Sequence, residues 1–105
     1  MCSLPKFIHD TRRILSVNDA GAALFRCEAV DLIDRDMMEL LSDVNYRGLA
    51  RLRMVMLREQ WAAPPARFSY EYLRHDGSTF WARVESEPLG EGLFETVLIY
   101  ERESD

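Results

Sequence analysis

The stretch from residue 68 to residue 84, FSYEYLRHDGSTFWARV, leaves little choice but a long antiparallel hairpin. Alternation sets Phe68, Tyr70 and Tyr72 on one face of its first strand and Phe80, Ala82 and Val84 on one face of its second. Asp76-Gly77 at the bend supplies positive-φ backbone, open to Gly because no Cβ clashes there. A mostly helical half precedes the hairpin, opening with ILSVNDAGAALF. Strands, then helices, then a hairpin is an order few small folds use.

Residues 6–10 and 13–17 read as two short strands around an Asp10-Thr11 turn. Asn18-Asp19-Ala20 leads into a helix over residues 20–25, where an Asn or Asp oxygen can accept from the unpaired amides of the first turn. Ala23 and Leu24 are the candidates for its buried side. Residues 27–41 divide into two short helical pieces: Val30, Ile33, Met37, Leu40 and Leu41 keep a helical rhythm, interrupted by Asp31, Asp34 and Asp36. A longer helix follows over residues 43–60, capped by Ser42 or Asp43, with Tyr46, Leu49, Leu52, Val55 and Met56 as its buried stripe. Trp61-Ala-Ala-Pro-Pro ends it, since neither proline donates an amide. Strands over residues 67–74, 78–87 and 93–102 complete the chain, the last two joined by a Pro88-Leu-Gly-Glu-Gly turn.

Length and charge limit what such a chain can do. At 105 residues there is material for one core and one domain, spanning about residues 6–102. Charged residues make up 30% and the net charge is -5, with Lys and Arg scattered, so the positive footprint that nucleic acid requires is missing. Arg47, Arg51 and Arg58 recur at helical spacing and read as a solvated face. The sequence shows no membrane-spanning run and no signal peptide, and Cys2 and Cys27 are unpaired in spacing; a cytoplasmic location is expected.

With these elements in this order, the chain resembles a PAS domain over residues 6–102. The most specific pieces are ILSVNDA, Ile14 to Ala20, and HDGSTFW, His75 to Trp81, which matches the family's D-G-S hairpin followed by an aromatic. The resemblance implies an α+β fold: a five-stranded antiparallel sheet in the order 2-1-5-4-3 with helices over one face. It also implies a sensory or interaction module of bacterial-type signalling, usually one part of a longer chain such as a histidine kinase or a cyclic-dinucleotide enzyme (a diguanylate cyclase). Three departures stand out. Arg26-Cys27 replaces the family's Gly-Tyr, Asp34 stands where Gly is frequent, and YERESD replaces the closing D-I-T, with Glu101 in place of its acid.

Known chemistries of that family find little to work with. Flavin-binding relatives carry a reactive cysteine where this chain has Met37, whose thioether forms no thiolate adduct. Haem-binding relatives draw a histidine from the long helix, and residues 43–60 contain none; His9 falls on a strand and His75 at a hairpin tip, where a solvated role is expected. His9, His75, Cys2 and Cys27 lack the paired spacing of a zinc site. Glu71 and Glu85 share the outer strand parity and read as wet, and no nucleophile motif or phosphate loop occurs.

Two surfaces remain as candidate sites. Leu52, Met54 and Met56 from the helix, with Phe68, Tyr70, Tyr72 and Phe80 from the hairpin, could line a small apolar cavity with a tyrosine hydroxyl orienting a ligand; the alternative is a filled core. On the opposite sheet face, Leu73, Trp81, Leu98 and Tyr100 form a candidate dimer surface, with singly scattered apolar residues as the alternative. The expectation is a non-enzymatic module that regulates an effector through a small apolar ligand, a homodimer, or both. A small α+β pocket enzyme or ligand carrier, or a ligand-free dimerisation module, stays open beside it.

Overall fold

Five strands form a single antiparallel sheet in the order β2-β1-β5-β4-β3. They are β1 (Lys6–His9), β2 (Ile14–Val17), β3 (Phe68–Leu73), β4 (Thr79–Gly90) and β5 (Leu93–Glu103). The computed structural model describes residues 4–59 and 68–104. The end of the long helix at Trp61 and the prolines after it, the strand start at residue 67, and Cys2 lie outside the described residues. So do the side chains of Tyr46, Leu49, Met54, Arg58 and Phe68.

Register fixes the two faces of the sheet. Tyr72 pairs with Phe80, Tyr70 with Ala82 and Phe68 with Val84, while Val84 pairs with Leu98 and Ser86 with Thr96. Across β1, Phe7 stands between Val17 and Thr96. All of these lie on one face, and the helices cover it. Two helices flank two single-turn 3-10 pieces: α1 (Asp19–Leu24), then Ala29–Asp31 and Met37–Leu40, then α2 (Val44–Glu59). From them Phe25, Leu32, Met37, Met38, Leu40, Leu41 and Ala50 join Phe7, Ile14, Tyr72, Phe80 and Leu98 in one buried cluster.

Local chemistry explains where α1 begins and ends. The Asn18 side chain accepts from the Gly21 amide at 2.9 Å and from the Lys6 amide at 3.0 Å, so one residue caps the helix and ties it to β1. Its Nδ2 donates to the Leu4 carbonyl. Gly21 is needed for a close approach: a Cβ there would stand 2.5 Å from Val17 Cγ2. Arg26 ends the helix in the left-handed region, φ 56°, with its amide on the Ala23 carbonyl. Asp34 is left-handed too, at φ 74°. The two positions where the resemblance expects glycine thus both adopt backbone that favours glycine, filled here by Arg and Asp.

Each outer strand of the sheet is partly capped by a loop. Residues 34–36 bond to the free side of β2, through Ile14 to the Arg35 carbonyl and Asp34 to the Ile14 carbonyl. Ser42 does the same for β3, its amide donating to the Glu71 carbonyl at 3.0 Å. Unpaired edge backbone is thereby shortened at both sides of the sheet.

The two short strands, the helix order and the three-stranded finish are those the sequence predicts, and the sheet order is the one the resemblance implies. Several details differ. β4 continues through Pro88 to Gly90, so the turn is Glu91-Gly92, both with positive φ, and not the whole Pro88-Leu-Gly-Glu-Gly segment. Near the strand end Pro88 sits beside a register irregularity, where a missing donor costs little. In α1 the buried residues are Gly21 and Ala22, and Ala23 is exposed. Val30 and Ile33 are exposed and Leu32 is buried, because a 3-10 turn does not keep the α-helical period.

Candidate functional site

Phe25 is the hub of the space between sheet and helices. Fully buried, it meets Phe7 edge-on at 5.8 Å, Tyr72 at 6.0 Å and Phe80 at 5.3 Å between ring centroids. Tyr72 and Phe80 stack at 5.6 Å, and Tyr70 meets Tyr72 edge-on. Edge-to-face contacts of this kind add to burial itself. Burial pushes the Tyr72 hydroxyl pKa far up, so it stays protonated at any ordinary pH. The Tyr70 hydroxyl accepts a hydrogen bond from Arg53 of α2, whose guanidinium carbon lies 5.7 Å from the same ring.

Of the seven residues read from the sequence as cavity lining, the structure brings Tyr70, Tyr72 and Phe80 together on the inner face. Met56 is half-buried on α2. The Phe68 side chain lies outside the described residues, though its backbone pairs with Val84. Leu52 is a correction: it is 52% exposed. Among the described side chains of α2, Ala50 enters the core, and Leu52 lies about 200° further round the helix, on the solvent side.

The proposed dimer face also needs correcting. Leu98 is 2% exposed and belongs to the core, and Tyr100 shares its parity, pairing with Ala82 and lying 6.1 Å from the Phe80 ring. Val97-Leu-Ile-Tyr100 is apolar at every position, so alternation could not say which residues turn inward. The outward set of β5 is Glu95, Val97 and Ile99. Trp81 and Leu73 do lie outward, Trp81 half-buried with the Arg102 guanidinium 5.3 Å from its ring, and Leu73 exposed. Glu71 is on this face as well. It accepts from the Ser104 hydroxyl at 2.6 Å and the Ser42 hydroxyl at 2.5 Å, and these bonds, Ser104's first, hold its pKa below the usual carboxylate value. In the ladder Glu71 stands opposite Trp81.

Sequence reading missed two polar clusters. In one, buried Arg74 donates to the Leu24 carbonyl at 2.7 Å and grips both oxygens of Glu103, its guanidinium carbon 4.5 Å from the Phe80 ring. Tyr100 donates to the same carboxylate at 2.8 Å, and Arg26 reaches Asp76 and Glu103. The hydrogen bonds from Arg74 and then Tyr100 bring the Glu103 pKa down to about 2. The carboxylate engaged near the end of β5 is therefore Glu103; Glu101 is exposed.

The other cluster runs through His9, which the strand parity places beside Phe7 but turned inward like it. His9 Nδ1 accepts from the Thr11 amide at 3.0 Å, which leaves the proton on Nε2 to be donated to Thr96 Oγ1 at 2.6 Å. Ser86 completes the row, 2.7 Å from the same hydroxyl. Thr11 holds a left-handed φ of 76°, and its carbonyl accepts from Arg51, which also pairs with Asp36. His75, by contrast, is exposed in the hairpin turn. Among the described residues no three His, Cys, Asp or Glu side chains gather to hold a metal ion, and no helix is long and apolar enough to cross a membrane.

No family model and no curated sequence matches the chain. Solved structures do. One is a domain of a sensory box sensor histidine kinase/response regulator from Geobacter sulfurreducens, at TM-score 0.76 and 16% identity, covering 91% of this chain and 82% of that one. Another is the PAS domain, in complex with ethanol, of a LuxR-family transcriptional regulator from Burkholderia thailandensis, at TM-score 0.66 and 24% identity over 97% and 90%. A third is the LOV domain of a blue-light activated histidine kinase from Erythrobacter litoralis, at TM-score 0.75 and 14% identity over 97% and 99%. With strand order, helix placement and near-complete coverage in agreement, the chain has the PAS fold.

Proposed function

We propose that this chain is a non-enzymatic sensory or interaction module acting in the cytoplasm, which passes a change of state to an effector domain or protein through its sheet. The observation that carries the reading is the contrast between the two faces. Every described helix lies against the inner face, and its aromatic cluster is closed over Phe25. On the outer face Ile8, Trp81, Val97 and Ile99 stay half-buried, with no described helix above them. A surface of that kind suits a second copy of the chain. The similar domains described above belong to two kinases and a transcriptional regulator, which agrees with a regulatory role.

In this reading a small apolar ligand would sit between α2 and the part of the inner face formed by Tyr70, Val84 and Leu98, with Met56 able to adapt to its shape; the bond from Arg53 to the Tyr70 hydroxyl, which brings α2 over that face, supports it. Its occupancy matters only if it binds two arrangements of the domain unequally. Native mass spectrometry of the purified chain tests both halves of the reading, since one spectrum reports retained small molecules and subunit number. The expected spectrum is a dimer. Trp81→Ala, which removes the outer ring without touching the core, should weaken self-association; unchanged mass by light scattering across a dilution series would count against the outer face as the interface.

A further inference from the structure

The charges of the outer face are sorted along the strands. From the hairpin end downward, successive rows carry Ile8, Glu95 and Glu87; then Lys6, Val97 and Glu85; then Ile99 and Arg83; then Arg102, Trp81 and Glu71. Carboxylates crowd one end and guanidiniums the other, with Val97 and Ile99 between them. The Glu71 carboxylate at the basic end is already occupied by the two serine hydroxyls.

Two features of this face are unfavourable in a lone chain. Glu87 and Glu95 are directly opposite each other, a like-charge pair that costs stability. Arg83 Nε is a buried donor with no hydrogen-bond partner among the described residues, its ion-pair partner Glu85 standing 3.5 Å away. Cations brought to the acidic end and a carboxylate brought to Arg83 would relieve both.

Building on the dimer reading above, we infer that a second copy covers this face about a two-fold axis running across the strands between the rows of Val97 and Ile99. That operation keeps β5 over β5 and β4 over β4 but reverses their direction. Glu95 then meets Arg102 of the second copy, Glu85 meets its Arg83, and Val97 meets its Ile99, each contact occurring twice as an isologous interface demands. The sheets keep the usual tilt of about 30° between packed sheets. The other in-plane axis, along the strands, would lay carboxylates on carboxylates and guanidiniums on guanidiniums, which like-charge repulsion opposes.

Charge reversal tests the orientation. One variant carries Glu85→Lys and Glu95→Lys; the other carries Arg83→Glu and Arg102→Glu; circular dichroism confirms that each is folded. Each alone should dimerise roughly 100-fold more weakly than the parent at low salt, and a one-to-one mixture should recover the parent affinity, because every reversed group again meets its opposite. Analytical ultracentrifugation reads all three samples. If the parent dimerises and Trp81→Ala dissociates it, but both reversed variants self-associate as tightly as the parent, the outer face stands and this orientation falls. If the parent is monomeric at every concentration, the dimer reading falls and this inference with it.

Discussion

Acidification should destabilise this domain in a window that belongs to His9 alone. The ring is fully buried, stacked 6.0 Å from Phe94, and bonded at both nitrogens. Taking up a second proton would place an N–H on Nδ1 against the Thr11 N–H that it now accepts. Burial brings the His9 pKa from 6.5 to about 4, with the Asp10 carboxylate opposing the shift. The folded value is the lower one, so the unfolded chain binds the proton first as pH falls. His9 therefore contributes stability that is fully present above 6.5 and lost between 6.5 and about 4. At about 1.4 kcal/mol per pH unit the whole loss is about 3 kcal/mol, of which about 2 kcal/mol falls between pH 7 and pH 5. Carboxylates do not interfere between pH 7 and pH 5: what Asp76 and Glu103 contribute is lost as pH falls from their ordinary values, 3.8 and 4.5, to about 2.

Urea unfolding at pH 7, 6 and 5 is the assay. With a slope of about 2 kcal/mol per molar, typical for a chain of this size, the midpoint should fall by about 1 M from pH 7 to pH 5. His9→Gln can still donate to Thr96 but cannot titrate, so its midpoint should start lower and stay nearly flat. An equal fall in His9→Gln and the parent would refute the reasoning, as would a folded-state His9 ring resonance (identified by its loss in His9→Gln) titrating near 6.5.

Three other substitutions probe the packing and the backbone. Phe25→Ala empties the hub of the aromatic cluster and should cost about 3–5 kcal/mol, read as a lower thermal midpoint. Arg74→Met keeps the buried stem but removes the donor to the Leu24 carbonyl and the two Arg74 donors to Glu103, leaving Tyr100 on that carboxylate; a loss of about 2 kcal/mol is expected, along with a rise of the Glu103 pKa measurable by carboxyl NMR titration. Asp34→Gly removes a left-handed non-glycine residue whose side chain is exposed, and should stabilise by up to about 1 kcal/mol despite the added freedom of the unfolded chain; a lower midpoint would show that the loop does not bear this cost.

How much of this was legible depends on the range over which each interaction acts. Tyr70, Tyr72 and Phe80 declare their face because Glu71, Arg74 and Thr79 interrupt them with polar residues, and Asn18 declares a cap because its partner amide is three residues away. Val97 to Tyr100 carries no such contrast, so alternation cannot tell that Leu98 and Tyr100 are the pair that turns inward. Leu52 misleads for a related reason: α2 turns its small Ala50 into the core, about 200° away from Leu52, and commits Arg51 and Arg53 to Asp36 and Tyr70, polar contacts that a hydrophobic stripe does not register. The His9–Thr96 bond joins residues 87 apart in sequence and the Arg74–Glu103 pair residues 29 apart. Neither leaves a local trace, since a lone histidine in a strand and a glutamate in a closing YERESD segment are ordinary surface choices until the sheet order brings β1 against β5 and folds the end of β5 over the base of the β3–β4 hairpin. The same sheet order is what lines Glu95 up with Glu87 and Arg102 with Trp81, so the charge sorting on the outer face, like the buried polar pairs beneath it, is a property of topology that no single segment contains.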